Sequence, residues 1–180
     1  MDLDKLVEEI QGEIDYQIYD INQGGCGWFA YYMVKHLKSV GIDAKIKIID
    51  DSRSKVQLKK TNINNYINKV TNVEYDELRD TSFIHCFVKV GSKGFDARNS
   101  SIKQLKDDYD GYRFAGEYTL QELEIALKVG GWNSRYNKNN NRLLEEIIQT
   151  NILIHANRGS NRKITIFNFT GEGYSGLQSR

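Results

Sequence analysis

Leu3, Leu6, Val7, Ile10 and Ile14 recur at three- and four-residue intervals, which predicts an amphipathic helix ending near Asp15. A second stripe, Cys26, Ala30, Met33, Leu37 and Val40, is widened by Phe29 and predicts a helix from about Cys26 to Val40. Gly41 then falls where a left-handed C′ residue belongs, with Lys35, His36 and Lys38 in the last turns. The period next shortens. Ala44 to Ile49 alternates as a strand, and Phe83 to Val90 is the strongest strand pattern in the chain. Gly91-Ser92-Lys93-Gly94 turns that strand, and Gly94 to Arg98 returns beside it.

Thr119-Leu120-Gln121-Glu122 spells a capping box opening a helix that ends near Gly130-Gly131. Arg142 to Ala156 predicts another helix, and Lys163 to Phe169 a last strand before a glycine-bearing tail over 170–180. Asp50 to Asp80 reads as polar connection, with a short helix at Asn62–Val70, and Ser134 to Asn141 as an Asn-rich loop. With no internal repeat and no linker, the 180 residues predict a single α+β domain.

Composition narrows the function classes. A formal charge of +1 gives no global attraction to nucleic acid or anionic lipid, and no apolar run suffices to cross a bilayer. Neither a membrane nor a nucleic acid is therefore the expected partner. The acidic start Met1-Asp2-Leu3-Asp4 does not resemble a secretory signal, so a cytoplasmic, reducing location and free thiols are expected for the 2 cysteines. Turns must come from Gly, Asn, Asp and Ser, because there is no proline. The richness in Asn, Ile, Lys and Tyr resembles AT-rich bacterial or bacteriophage coding.

The chemistry concentrates at Gln23-Gly24-Gly25-Cys26-Gly27-Trp28-Phe29-Ala30. A glycine turn delivers Cys26 to the first turn of a helix, where unpaired N–H groups and the helix dipole favour thiolate over thiol. The flanking glycines predict an approachable sulfur. The Gly27 N–H and the Gln23 side chain are candidate oxyanion donors, and Trp28 a candidate substrate contact. His85, near the start of the strong strand, is the candidate base. Asp96 on the returning strand is its candidate orienter. An even loop makes paired positions sum to an odd number, which puts His85 and Asp96 on one face; a turn centred between Val90 and Gly91 sets them directly opposite.

Gly25-Cys26, Phe29-Ala30, Leu37 and Gly41-Ile42-Asp43-Ala44-Lys45 together resemble the nucleophile helix of transglutaminase-like, papain-fold cysteine enzymes. His85-Cys86-Phe87-Val88-Lys89-Val90-Gly91-Ser92-Lys93-Gly94-Phe95-Asp96-Ala97 is similar to that family's histidine–aspartate hairpin. The resemblance spans residues 23–99 and leaves the remainder unassigned. It implies a papain-like fold with the nucleophile helix packed on an antiparallel sheet. It also implies a Cys26–His85–Asp96 triad acting through a thioester on a protein, peptide or small amide substrate, without cofactor or metal. Animal transglutaminases carry an oxyanion tryptophan upstream of the cysteine, whereas Trp28 follows it. The small bacterial and viral relatives, peptidases and amidases, are the nearer comparison. The glycines before the cysteine also resemble arylamine N-acetyltransferases, which are longer.

Other signals read as structure. Adjacent strand residues face opposite ways, so Cys86 belongs in the core with Ile84, Val88 and Val90. His36 and His155, each late in a helix, are expected to cap it or face solvent. Arg135, Tyr136, Lys138 and Arg142 form a small basic-aromatic patch expected to be a solvated loop. No metal-binding spacing occurs. The expected function is a thiol peptidase or amidase, or a related acyltransferase. The rival expectations are a non-catalytic binding or inhibitor protein that keeps the fold, and a structural component.

Overall fold

A computed structural model describes residues 1–21, 24–50, 85–129 and 136–158. The expectations placed on Gln23, Asn62–Val70, Phe83–Ile84, Arg135, Lys163–Phe169 and the tail lie outside those residues.

Among the described residues the chain forms α1 (Leu3–Gln17), α2 (Cys26–Ser39), β1 (Ala44–Asp50), β2 (His85–Val90), β3 (Lys93–Phe95), α3 (Ile102–Asp108), β4 (Arg113–Tyr118), α4 (Leu120–Val129) and α5 (Asn141–Arg158). A short 3₁₀ turn over Lys138–Asn140 leads into α5. The four strands make one antiparallel sheet in the order β3-β2-β1-β4. The architecture is α+β.

Strand parity sorts the side chains into two layers. On one face Ala44, Ile46, Ile48, Cys86, Val88, Phe95 and Tyr118 join the core built with α1, α2, α4 and α5. Leu6, Ile10, Ile14, Phe29, Met33 and Leu37 are fully buried within it. Each such side chain withdrawn from water contributes on the order of 1.5–3 kcal/mol, so this face supplies most of the driving force. On the other face Ile49, Phe87 and Leu105 form a smaller cluster, with Tyr109 and Tyr112 against it.

The predicted ends hold where local chemistry is explicit. Thr119 Oγ1 accepts from the Glu122 N–H at 3.1 Å, and Glu122 Oε2 accepts from the Thr119 N–H at 2.7 Å, which is the reciprocal capping box. Gly41 takes φ +84° just beyond α2. The expected return strand, Gly94 to Arg98, is instead the shorter Lys93–Phe95. The loop before it is only Gly91-Ser92, because Val90 pairs with Lys93. Gly91, at φ +57°, occupies the first loop position in the left-handed conformation that so tight a reversal needs.

Candidate active site

Asp96 follows β3, and a web of donors fixes its carboxylate. Oδ1 accepts from the backbone N–H of Arg98 at 2.7 Å and of Asn99 at 2.6 Å. Oδ2 faces His85 Nε2 at 2.7 Å and also accepts from Asn99 Nδ2 at 3.3 Å. Asn99 Nδ2 reaches Asp108 Oδ2 at 3.1 Å as well, tying the turn to the end of α3. The Asp96 backbone is held too: its carbonyl accepts from Gln11 Nε2 of α1 at 2.8 Å, and its N–H donates to the Asn99 carbonyl at 2.9 Å. Ser100 Oγ donates to Gln11 Oε1 at 2.9 Å, so the amide is used at both ends.

The parity expectation holds, but the direct opposition does not. Extending the observed register would set Arg98, not Asp96, opposite His85. Asp96 is the diagonal neighbour on the same face, and it closes the gap because the chain turns immediately after Phe95.

His85 is the first described residue of β2 and pairs with Ile49 of β1. One ring face stacks on Tyr109 at 4.6 Å between centroids and 20° between planes. Tyr109 is seated edge-on against Tyr112 at 6.1 Å. With Nε2 bonded to Asp96, Nδ1 is the ring nitrogen left for Cys26, whose sulfur lies close enough for its charge to act on the imidazole. Cys26 opens α2, whose N-cap Gly25 supplies no side-chain acceptor. The first-turn N–H groups, including that of Gly27, therefore lack intrahelical partners.

Electrostatics follow from this contact set. Hydrogen bonding from the Cys86 thiol lowers the Cys26 pKa well below the ordinary thiol value. Burial opposes that shift, and the His85 charge reinforces it. Burial pulls His85 down, yet the Cys26 thiolate and the Asp96 carboxylate outweigh it and raise the imidazole to about 10. Burial likewise works against the Asp96 carboxylate, but the His85 bond and the two backbone donors hold its pKa below the usual range. The resting state these directions describe is a thiolate–imidazolium pair anchored by a carboxylate.

Cys86 lies where parity puts it, facing the core beside Val88, and that face is the one Cys26 occupies. Both its thiol and its backbone N–H reach the Cys26 sulfur. Burial pushes the Cys86 thiol up, so it stays protonated and acts as the donor.

The sulfur is not open, contrary to the expectation from its glycine neighbours. Cys26 and His85 are each 3% exposed and Asp96 1%. The glycines serve close packing instead. A Cβ on Gly25 would sit 2.5 Å from the Ile21 carbonyl oxygen and 2.9 Å from the Tyr136 ring, and one on Gly27 would fall on the Leu127 side chain. Tyr136 is accordingly buried, its hydroxyl donating to Asn141 Oδ1 at 2.8 Å, and is not part of a solvated patch. Lys138 is exposed, and Arg142 pairs with Glu146 at 2.8 Å.

Trp28 stands about 200° around the helix from Cys26. It packs on Tyr31 at 6.3 Å and Tyr32 at 6.0 Å. The two remaining histidines face neither solvent nor their own helix ends. His36 Nε2 meets Glu145 of α5 at 3.1 Å, and His155 Nε2 meets Glu9 of α1 at 2.8 Å. Both are interhelical ties. Among the described residues no group of three or more His, Cys, Asp or Glu side chains is placed to hold a metal ion.

Comparison of the chain with protein-family models, with curated proteins and with solved structures finds no match in any of the three.

Proposed function

We propose that this chain is a thiol-dependent hydrolase or acyltransferase of papain-like type, acting on an amide or peptide bond. The supporting observation is the line of contacts Cys26–His85–Asp96, with a 2.7 Å link between the imidazole and a buried, fully bonded carboxylate. The Cys26 thiolate attacks the carbonyl carbon, and free N–H groups at the start of α2, that of Gly27 among them, receive the oxyanion. His85 Nδ1–H then protonates the leaving amine as the thioester forms. A water deprotonated by His85 completes hydrolysis, whereas an amine in its place gives transamidation.

Asp96 holds the ring so that Nδ1 points at sulfur, and Tyr109 limits its rotation. Substrate entry in this reading requires the Leu127 or Tyr136 side chain to yield. The membership in a papain-like, transglutaminase-like superfamily belongs to the same proposal.

The burial of all three groups favours a second reading, a binding protein that keeps the triad closed. A panel of peptide and acyl-amide substrates followed by intact-mass spectrometry separates the two. An acyl adduct on Cys26 that is absent in Cys26→Ala supports catalysis. A stoichiometric partner retained by Cys26→Ala, with no adduct on any substrate, supports the binding protein.

A further inference from the structure

Cys86 is a buried free thiol that the acyl-transfer scheme does not use, although it lies beside the reacting sulfur. We propose that Cys26 and Cys86 are a peroxide-sensitive thiol pair that closes to an intramolecular disulfide and reopens with a dithiol.

Geometry carries the inference. Both residues belong to the same core face, where α2 packs on β2, and the Cys86 thiol and main-chain N–H lie close enough to the Cys26 sulfur to act on its charge. The chain contains 2 cysteines, so each sulfur has one possible intramolecular partner. The pair is also chemically asymmetric, one sulfur held as thiolate beside an imidazolium and the other kept as thiol by its apolar surroundings. That is the division of labour that two-step oxidation requires.

In the first step the Cys26 thiolate attacks one peroxide oxygen and the O–O bond breaks. The departing hydroxide takes a proton from His85 and leaves as water, giving a sulfenic acid on Cys26. In the second step the Cys86 sulfur attacks the Cys26 sulfur. The S–O bond breaks, and the hydroxyl leaves as a second water with the Cys86 proton. Hydrogen peroxide gains two electrons and the two thiols lose them. The closed packing of Gly25 and Gly27 against Tyr136 and Leu127 suits so small an oxidant, and it disfavours bulkier disulfides such as oxidised glutathione.

The consequence is reversible protection. A neighbouring thiol captures the sulfenic acid before a second peroxide takes it to the irreversible sulfinic acid. The pair does not depend on turnover, so the inference stands or falls separately from the proposed catalysis.

The experiment uses the full chain treated with graded hydrogen peroxide, followed by intact-mass measurement and unreduced peptide mapping. The expected result is loss of two hydrogens, a Cys26 peptide linked to the Cys86 peptide, and a fall of at least about tenfold in thiol labelling that dithiothreitol restores. Cys86→Ser, checked for folding by circular dichroism, should instead gain one or two oxygens on Cys26. Wild-type protein that gains those oxygens, stays unmodified, or links only between molecules would overturn the proposal. The wild-type map decides the matter even if the variant fails to fold. Alkylation of the reduced protein reads the nucleophile by itself.

Discussion

Replacing Asp96 by Asn keeps the shape of the orienting side chain and removes its charge. The carboxylate is 1% exposed and receives His85 Nε2 at 2.7 Å, so its bond to the imidazolium is short, charged and shielded from water. A hydrogen bond of that kind contributes about 1.5–3 kcal/mol, or about 1–2 pK units on the ring. His85, raised to about 10 in the native protein, should therefore fall by about that much. Because thiolate and imidazolium stabilise each other, the Cys26 titration must move the opposite way, upward.

Two assays read the two partners. Histidine proton resonances titrate separately, and with 3 histidines in the chain His85 is assigned by substitution. Iodoacetamide labelling against pH gives the thiolate fraction. The expected outcome is a downward shift at His85 together with a drop of about 10- to 100-fold in Cys26 labelling on the acidic limb. An unchanged His85 titration, or unchanged labelling with a shifted His85, would refute the coupling.

Other expectations follow from the same contacts. Tyr109→Leu removes the ring stacked on His85 and should broaden the labelling profile and lower its maximum, whereas Tyr109→Phe restores it; equal behaviour of the two variants would discount the stack. Leu127→Ala should lose about 2–5 kcal/mol in urea unfolding yet speed Cys26 labelling, since Leu127 lies against Gly27; slower labelling would place the barrier elsewhere. Asp96 titrates lower in the folded than in the unfolded chain, so its stabilisation is fully present above the unfolded value of about 4 and is lost as pH falls through the folded one. His85 works in the reverse sense. Its contribution is complete below the unfolded value of about 6.5 and disappears as pH rises through about 10. Urea midpoints of wild type and Asp96→Asn should therefore converge as the pH is lowered; a constant gap would refute the linkage.

Periodicity revealed the helices whose apolar stripe is long, α1, α2 and α5, and the α4 start written in Thr119–Glu122. It missed α3 and β4. The α3 segment, with seven residues and Leu105 its sole buried residue, leaves almost no stripe to read. Its one signal was the pair Ser101 and Gln104, whose caps close at 3.2 Å between Gln104 N–H and Ser101 Oγ. In β4, Gly116 and Glu117 depress strand propensity, and a register shift between Lys47 and Ile48 of its partner accommodates the irregularity.

At the site, residue types and parity brought out Cys26, His85 and Asp96, because alternation along a strand is local information. The supporting residues were not legible. Gln11 reaches Asp96 from 85 positions away, and Tyr109 comes from a turn after a helix that the pattern did not show. The glycines misled for a physical reason. A missing Cβ admits a neighbour as readily as it admits solvent, and here Ile21, Tyr136 and Leu127 fill the space.

The thiolate at Cys26 is the centre of the account, and its labelling profile tests it most directly. Reduced protein reacted with iodoacetamide across pH and mapped by mass should carry the label on Cys26 first, with a midpoint well below the ordinary thiol value of about 8.5. His85→Ala should push that midpoint up, and Cys86 should stay unlabelled until the chain unfolds. A Cys26 midpoint at or above the ordinary thiol value, or equal labelling of both sulfurs in the native protein, would contradict the account.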